Sequence, residues 1–240
     1  MSSEWTEVHK SNTRGHANHS WLDSHHSFSF ANYFNPERVH FGMLRVLNDD
    51  VVTGGNGFGT HPHENMEIIS IPLEGDLEHK DSMGTAGVIR KNDVQLMSAG
   101  TGVFHSEYNK NPDQEVNFLQ LWIFPKYKDI APRYDQKTFD PVDRKDQFQE
   151  IVSPIESSGS GVKINQDAYL HMAEISEGNT LDYQIKSEGN GVYAFVLNGS
   201  LELEGEQLEK RDAIGVYETE TLKFKASKNA EVLLIEVPMN

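Results

Sequence analysis

TGGNGFGTHPHENMEIISIPLEG, residues 53–75, is the stretch on which the reading of this chain turns. It opens on glycines, which permit tight backbone at the mouth of a site, and closes on a β-branched apolar run of strand character. His61 and His63 stand two apart, so on a strand both side chains leave the same face. Two imidazoles on one face can grip one metal ion. Pro62 between them gives up a backbone donor, which fits an edge strand or a strand start. Forty-two residues after His63 comes SAGTGVFHSEYN (98–109), where His105 and Glu107 repeat the spacing behind the turn residues Gly100 and Gly102. A lone His-x-His is more often a pair of surface histidines. A second pair behind a second glycine turn points to a metal instead. Three neutral nitrogens and a carboxylate suit iron, manganese, nickel, copper or zinc.

Outward from these motifs the chain has little helical periodicity. HFGMLRVL (40–47), VQLMSA (94–99), NFLQLWIF (117–124), VYAFVL (192–197), SLELEG (200–205), TLKFKA (221–226) and EVLLIEV (231–237) are short apolar runs between turn residues. That rhythm predicts an all-β sandwich or barrel. Asn198-Gly199 predicts a two-residue type I′ hairpin. The polar segment 125–147 carries three prolines and reads as a connection between two β units, with ESSGSG (156–161) as a loop inside the second.

Composition narrows the function classes. The 240 residues include 37 acidic and 21 basic side chains, a formal charge of −16, which argues against neutralising phosphates as the main task. The absence of cysteine excludes disulfides, thiolate metal sites and a cysteine nucleophile. Apolar runs such as Phe118–Phe124 are too short to span a membrane. MSSEWTEVHK lacks the pattern of a signal peptide, so a cytoplasmic protein is expected. Ten of the 11 histidines lie within the first 105 residues, which places histidine chemistry in the first half. His9, His16, His19, His25, His26, His40, His79 and His171 lack a partner at comparable spacing and read as surface or supporting residues.

Gly55-x5-His61-x-His63-x3-Glu67 resembles the first cupin motif, and Gly100-x-Gly102-x2-His105-x3-Asn109 resembles the second. More narrowly the chain resembles the pirin family, in particular its short bacterial two-cupin members of quercetin 2,3-dioxygenase type. The matching segments are RGHANHSWLDSHHSFSFANYF (14–34), LRVLNDD (44–50), GFGTHPHENMEI (57–68), LEGDLEHKDSMG (73–84), QLMSAGTGVFHSEYN (95–109) and APRYDQKTF (131–139). The resemblance implies an all-β bicupin of two jelly-roll barrels. Residues 1–130 would form a metal-binding N-terminal barrel and residues 131–240 a metal-free C-terminal one, since the second half offers His171 alone.

Carried over residue by residue, the ligands would be His61, His63, His105 and Glu107. The ion would be a divalent transition metal, ferrous iron first, with manganese, nickel, cobalt, copper and zinc as alternatives. Broader cupins often take their carboxylate from the first motif, which here is Glu67, of the same strand parity as His61 and His63. It ranks after Glu107 as an alternative ligand and is read first as a supporting carboxylate, so the catalytic candidates are Glu107 and Glu67. Glu64, of opposite parity, would point outward. The implied reaction is dioxygenation of a quercetin-like flavonol: the metal chelates the 3-hydroxyl and 4-carbonyl, a carboxylate takes the hydroxyl proton, and dioxygen adds to a ring that opens with loss of carbon monoxide. Phe41, Met43, Met97 and Trp122 are candidate pocket walls, and Gln120 is a polar residue expected inside the barrel. The alternative is a non-enzymatic, metal-dependent binding or co-regulator protein acting through protein partners. The expected partners are thus a flavonol and dioxygen, without nucleic acid or membrane, on a monomer.

Overall fold

A computed structural model describes residues 5–240. The first half builds a seven-stranded sheet in the spatial order Arg133–Thr138, Asp93–Ser98, Glu67–Glu74, Val116–Ile123, Leu44–Val52, Leu22–His26 and Gly15–Asn18. A four-stranded sheet of Gly57–His63, Val103–Asn109, Leu77–Asp81 and Ala86–Ile89 closes over it. The second half repeats the plan. Its larger sheet runs Thr6–His9, Ala213–Val216, Asn190–Asn198, Ala230–Pro238, Tyr169–Ile175, Gln149–Pro154 and Val162–Ile164, and its smaller one Thr180–Gln184, Thr221–Ala226, Ser200–Leu203 and Glu206–Glu209. The protein is an all-β bicupin, two jelly rolls in one chain. Among the described residues the helical elements are two 3-10 turns, and no helix is long and apolar enough to cross a membrane.

Two strands cross the boundary expected at 130/131. Thr6–His9 pairs with Ala213–Val216 in the sheet of the second unit, Thr6 opposite Val216. Arg133–Thr138, inside the segment read as a connection, pairs with Asp93–Ser98 as the edge of the first unit's sheet. Both segments are short and largely polar, so neither carried a strand's apolar signature.

The expected hairpin at Asn198-Gly199 is corrected. Asn190–Asn198 pairs with Ala213–Val216 and Ala230–Pro238, whereas Ser200–Leu203 pairs with Glu206–Glu209 and Thr221–Ala226, so the chain changes sheets at this point. Gly199 has φ +73°, and a Cβ there would lie 1.8 Å from the Asn229 carbonyl oxygen. Asn198 does not share the positive φ that a type I′ turn demands at both positions. The glycine serves a crowded corner. The I′-like hairpin comes one turn later, at Glu204 (φ +51°) and Gly205 (φ +78°).

The two large sheets pack on each other. Phe28, Phe41, Leu44, Ile69 and Leu119 of the first half and Ile151, Tyr193, Phe195, Leu233 and Ile235 of the second share one buried cluster. Each such side chain stabilises the fold by about 1.5–3 kcal/mol. The interiors of the two units differ. The second is filled by apolar side chains, among them Val192, Ala194, Val196, Leu201, Leu222, Phe224, Val232 and Leu234. Among the described residues the first holds two smaller clusters, one around Phe118 and Leu77 and one around Ile68 and Met97. Polar side chains occupy the space between.

Candidate metal centre

Antiparallel pairing of Gly57–His63 with Val103–Asn109 places His61 directly opposite His105 and His63 opposite Val103. A bulge follows: Glu107 pairs with Phe58, so His61 and Phe58 are three positions apart while their partners are two apart. The extra residue lets Phe58, His61 and His63 all line one cavity. Gly57 makes the bulge possible, because a Cβ there would meet the Glu107 carbonyl oxygen at 2.3 Å.

The three histidines converge. Ring centroids are 4.9 Å apart for His61 and His63, 4.4 Å for His61 and His105, and 4.9 Å for His63 and His105. His61 Nε2 and His105 Nε2 face each other at 2.9 Å. His61 Nδ1 lies 2.7 Å from the Gly59 carbonyl oxygen, which can only accept, so Nδ1 donates and Nε2 is the nitrogen turned into the site. Among the described residues, the buried His63 Nε2 has no hydrogen-bond partner. Burial, then the neighbouring imidazoles, pushes His63 down to about 4 and His105 down to about 3. Both rings are therefore neutral at physiological pH, each with one N–H and one lone-pair nitrogen, and in the metal-free protein His105 Nε2 donates to His61 Nε2. Three ligand atoms of His61, His63 and His105 lie within 4.8 Å of one another, a geometry that can hold a metal ion.

Glu107 adjoins this group. Its Oε2 is 4.0 Å from His105 Nε2. Ser70 Oγ donates to Oε1 at 3.0 Å and Gln120 Nε2 to Oε2 at 2.7 Å, while Trp122 Nε1 donates to Gln120 Oε1 at 3.2 Å. Gln120 thus points inward as expected, and it orients the carboxylate. Glu67 is not brought to the histidines. Ser98 Oγ (2.8 Å) and the Asn165 amide of the second unit (3.1 Å) both donate to its Oε2, and it does not line the cavity. Parity failed to carry because the chain breaks between His63 and Glu67, where Asn65 has φ +47° and a new strand begins in the other sheet. Glu64 is exposed.

The cavity measures about 390 Å³ and is walled by Trp21, Leu22, Phe30, Phe58 and Trp122, a size and lining suited to a small organic ligand. Of the four wall candidates Trp122 alone lines it. Phe41 and Met43 pack in the cluster between the units, and Met97 in the one around Ile68. His79, read as a supporting residue, is fully buried behind the site, with Nε2 2.8 Å from Asp81 Oδ2 and its ring 5.4 Å from that of His105.

Asp50 is the cavity residue that the sequence concealed. Ser24 Oγ donates to Asp50 Oδ1, and His26 Nε2 lies 2.8 Å from the same hydroxyl. All three line the cavity. Burial, opposed by the Ser24 hydrogen bond and aided by the charges of Asp49 and Glu107, pushes Asp50 up to about 7. A carboxyl whose folded value exceeds its unfolded one stabilises the fold below the unfolded value and loses that contribution as pH rises. In the metal-free protein, Asp50→Asn is expected to gain on wild type between pH ~4 and ~7, levelling off above, by on the order of a few kcal/mol. Denaturant melts across that range check it; a constant difference would remove Asp50 as the titrating group.

Residues 7–123 match the family model described as Pirin, and residues 150–237 the one described as Quercetinase C-terminal cupin domain. The chain is 42% identical over 231 residues to a quercetin 2,3-dioxygenase of Escherichia coli K12, covering 96% of this chain and 98% of that one. It is 36% identical over 222 residues to a pirin-like protein of Caulobacter vibrioides, covering 92% and 95%. Among solved structures it is similar to the bacterial pirin YhhW from Escherichia coli in complex with nickel(II), with a TM-score of 0.91, 38% identity and coverage of 97% and 99%.

Proposed function

As the chain belongs to the pirin family, we propose that it is a metal-dependent dioxygenase of quercetin-like flavonols, working as a cytoplasmic monomer. The observation that carries the reading is the convergence of three imidazoles beside an anchored carboxylate, against an aromatic-walled cavity. His61, His63 and His105 would hold the ion, with Glu107 as the fourth ligand. The nitrogen and oxygen donors fit, since His63 Nε2 has no protein partner to give up and the set suits borderline divalent ions. Ferrous iron is the ion we assign, and the nickel(II) complex of the similar Escherichia coli protein supports a site open to other divalent metals.

When bound, such an ion supplies Lewis acidity toward a chelating hydroxyl–carbonyl pair and a centre competent in oxygen chemistry. The chain's own residues do the rest. Trp21, Phe58 and Trp122 clasp a flat aromatic ligand and exclude water from it. Glu107 Oε2 accepts the proton of the 3-hydroxyl, and Gln120 and Ser70 keep that carboxylate aimed while it does so. The Asp50–Ser24–His26 chain offers polar contact to the ligand elsewhere in the cavity.

The test is to load metal-free protein with ferrous iron, manganese or nickel and to follow quercetin consumption under oxygen. Turnover with at least one metal is expected. Protein shown to hold each metal and still inactive with all three would overturn the assignment.

A further inference from the structure

We propose that a second divalent transition-metal site lies on the outer face of the hairpin that walls the cavity, held by His16, Asp23 and His25. The hairpin register makes the cluster. Gly15–Asn18 and Leu22–His26 pair antiparallel, with His16 directly opposite His25 and Asn18 opposite Asp23. Opposed residues carry their Cβ atoms about 4.5–5.5 Å apart, a span that two imidazoles sharing one ion can bridge. Asp23 stands two residues before His25 and leaves the same face.

The atoms are close. His16 Nε2 is 3.0 Å from Asp23 Oδ1, and His25 Nδ1 is 3.3 Å from the same oxygen. One ligand atom from each of the three lies within 4.8 Å of the others. The imidazole rings stack at 4.4 Å and 15°, so ligation requires them to tilt toward the carboxylate. Side-chain exposures of 51% for His16 and 37% for His25 leave room for that. Burial, and then the charge of Arg14, lowers the His25 pKa against the opposing charges of Asp23 and Asp49. Arg14 is a cationic neighbour, but its charge is engaged by Asp49 at 3.2 Å. Two imidazoles and a carboxylate, with remaining positions for water, suit nickel, zinc or copper.

The site is separate from the central histidines and has its own consequence. The opposite face of the hairpin carries Ala17, Ser24 and His26, which line the cavity. Among the described residues Gly15–Asn18 is the outermost strand of its sheet, paired on one side. An ion bridging the two strands would staple that edge and stiffen the cavity wall from outside.

Full-length protein dialysed against nickel(II) and measured by elemental analysis is expected to hold two ions per chain at saturation. His16→Ala and His25→Ala should each hold one, with His25→Gln as the control that preserves bulk and polarity. His63→Ala, with the central cluster broken, should retain the outer ion. Saturating nickel should slow amide hydrogen exchange over residues 15–26 in wild type and in His63→Ala, and leave it unchanged in His25→Ala. A single ion in wild type, a second ion that persists in His16→Ala and His25→Ala, or exchange indifferent to nickel would each overturn the site.

Discussion

Replacing His63 by alanine is expected to weaken metal binding by at least ~100-fold, and turnover with it, while leaving the metal-free protein as stable as wild type to within about 1 kcal/mol. The first half follows from donor count. Loss of a group that merely orients a ligand costs 10–100-fold in metal affinity, and His63 is proposed as a ligand itself. The second half follows from the burial of His63 Nε2 without any hydrogen-bond partner. A buried polar atom left unsatisfied is a cost to the fold, so its removal offsets the packing that the ring supplies. Elemental analysis and a denaturant melt of the same preparation test both halves. Full metal occupancy in His63→Ala would break the proposed ligand set, and a large loss of apo stability would make the ring a structural residue.

The second large effect is on chemistry. Glu107→Gln is expected to lower turnover of quercetin by ~10²–10⁴-fold, the range over which a positioned general base contributes. Metal affinity should fall less than in His63→Ala, because all three imidazoles stay. The amide is nearly isosteric and can still meet Ser70 and Gln120, which hold the carboxylate at 3.0 and 2.7 Å, so folding is not the variable. Steady-state rates on metal-saturated protein, with the ion content measured alongside, separate the two roles. Unchanged turnover would remove Glu107 from proton transfer.

The histidines were legible because each pair sits at i, i+2 behind a glycine turn, a spacing that survives in any strand register. The carboxylates were harder. Parity from His63 to Glu67 holds only if one strand runs through both, and the chain breaks at Asn65 instead. Asp50 was hidden by its composition: Asn48-Asp49-Asp50 looks like a turn, yet the strand Leu44–Val52 runs straight through it. Asn48 and Asp50 face inward there because the barrel is hollow and polar, which the run of letters alone does not reveal. The pairing of His16 with His25 required a hairpin register that HANHSWLDSHH does not advertise, since its turn lacks the Asn-Gly or Asp-Gly signal. Asn198-Gly199 erred in the other direction, giving a strong hairpin signal at a corner between sheets.

The one strand that each half lends to the other has a practical meaning. A chain cut between residues 130 and 131 would part Thr6–His9 from its pairing partner Ala213–Val216, and Arg133–Thr138 from Asp93–Ser98. Each fragment would carry away a ribbon that belongs to the other and expose an unpaired sheet edge, a template for stray association. The halves are therefore a mutual graft: supplied as separate polypeptides, they have reason to reassemble with each other, and neither is a module to be transplanted alone.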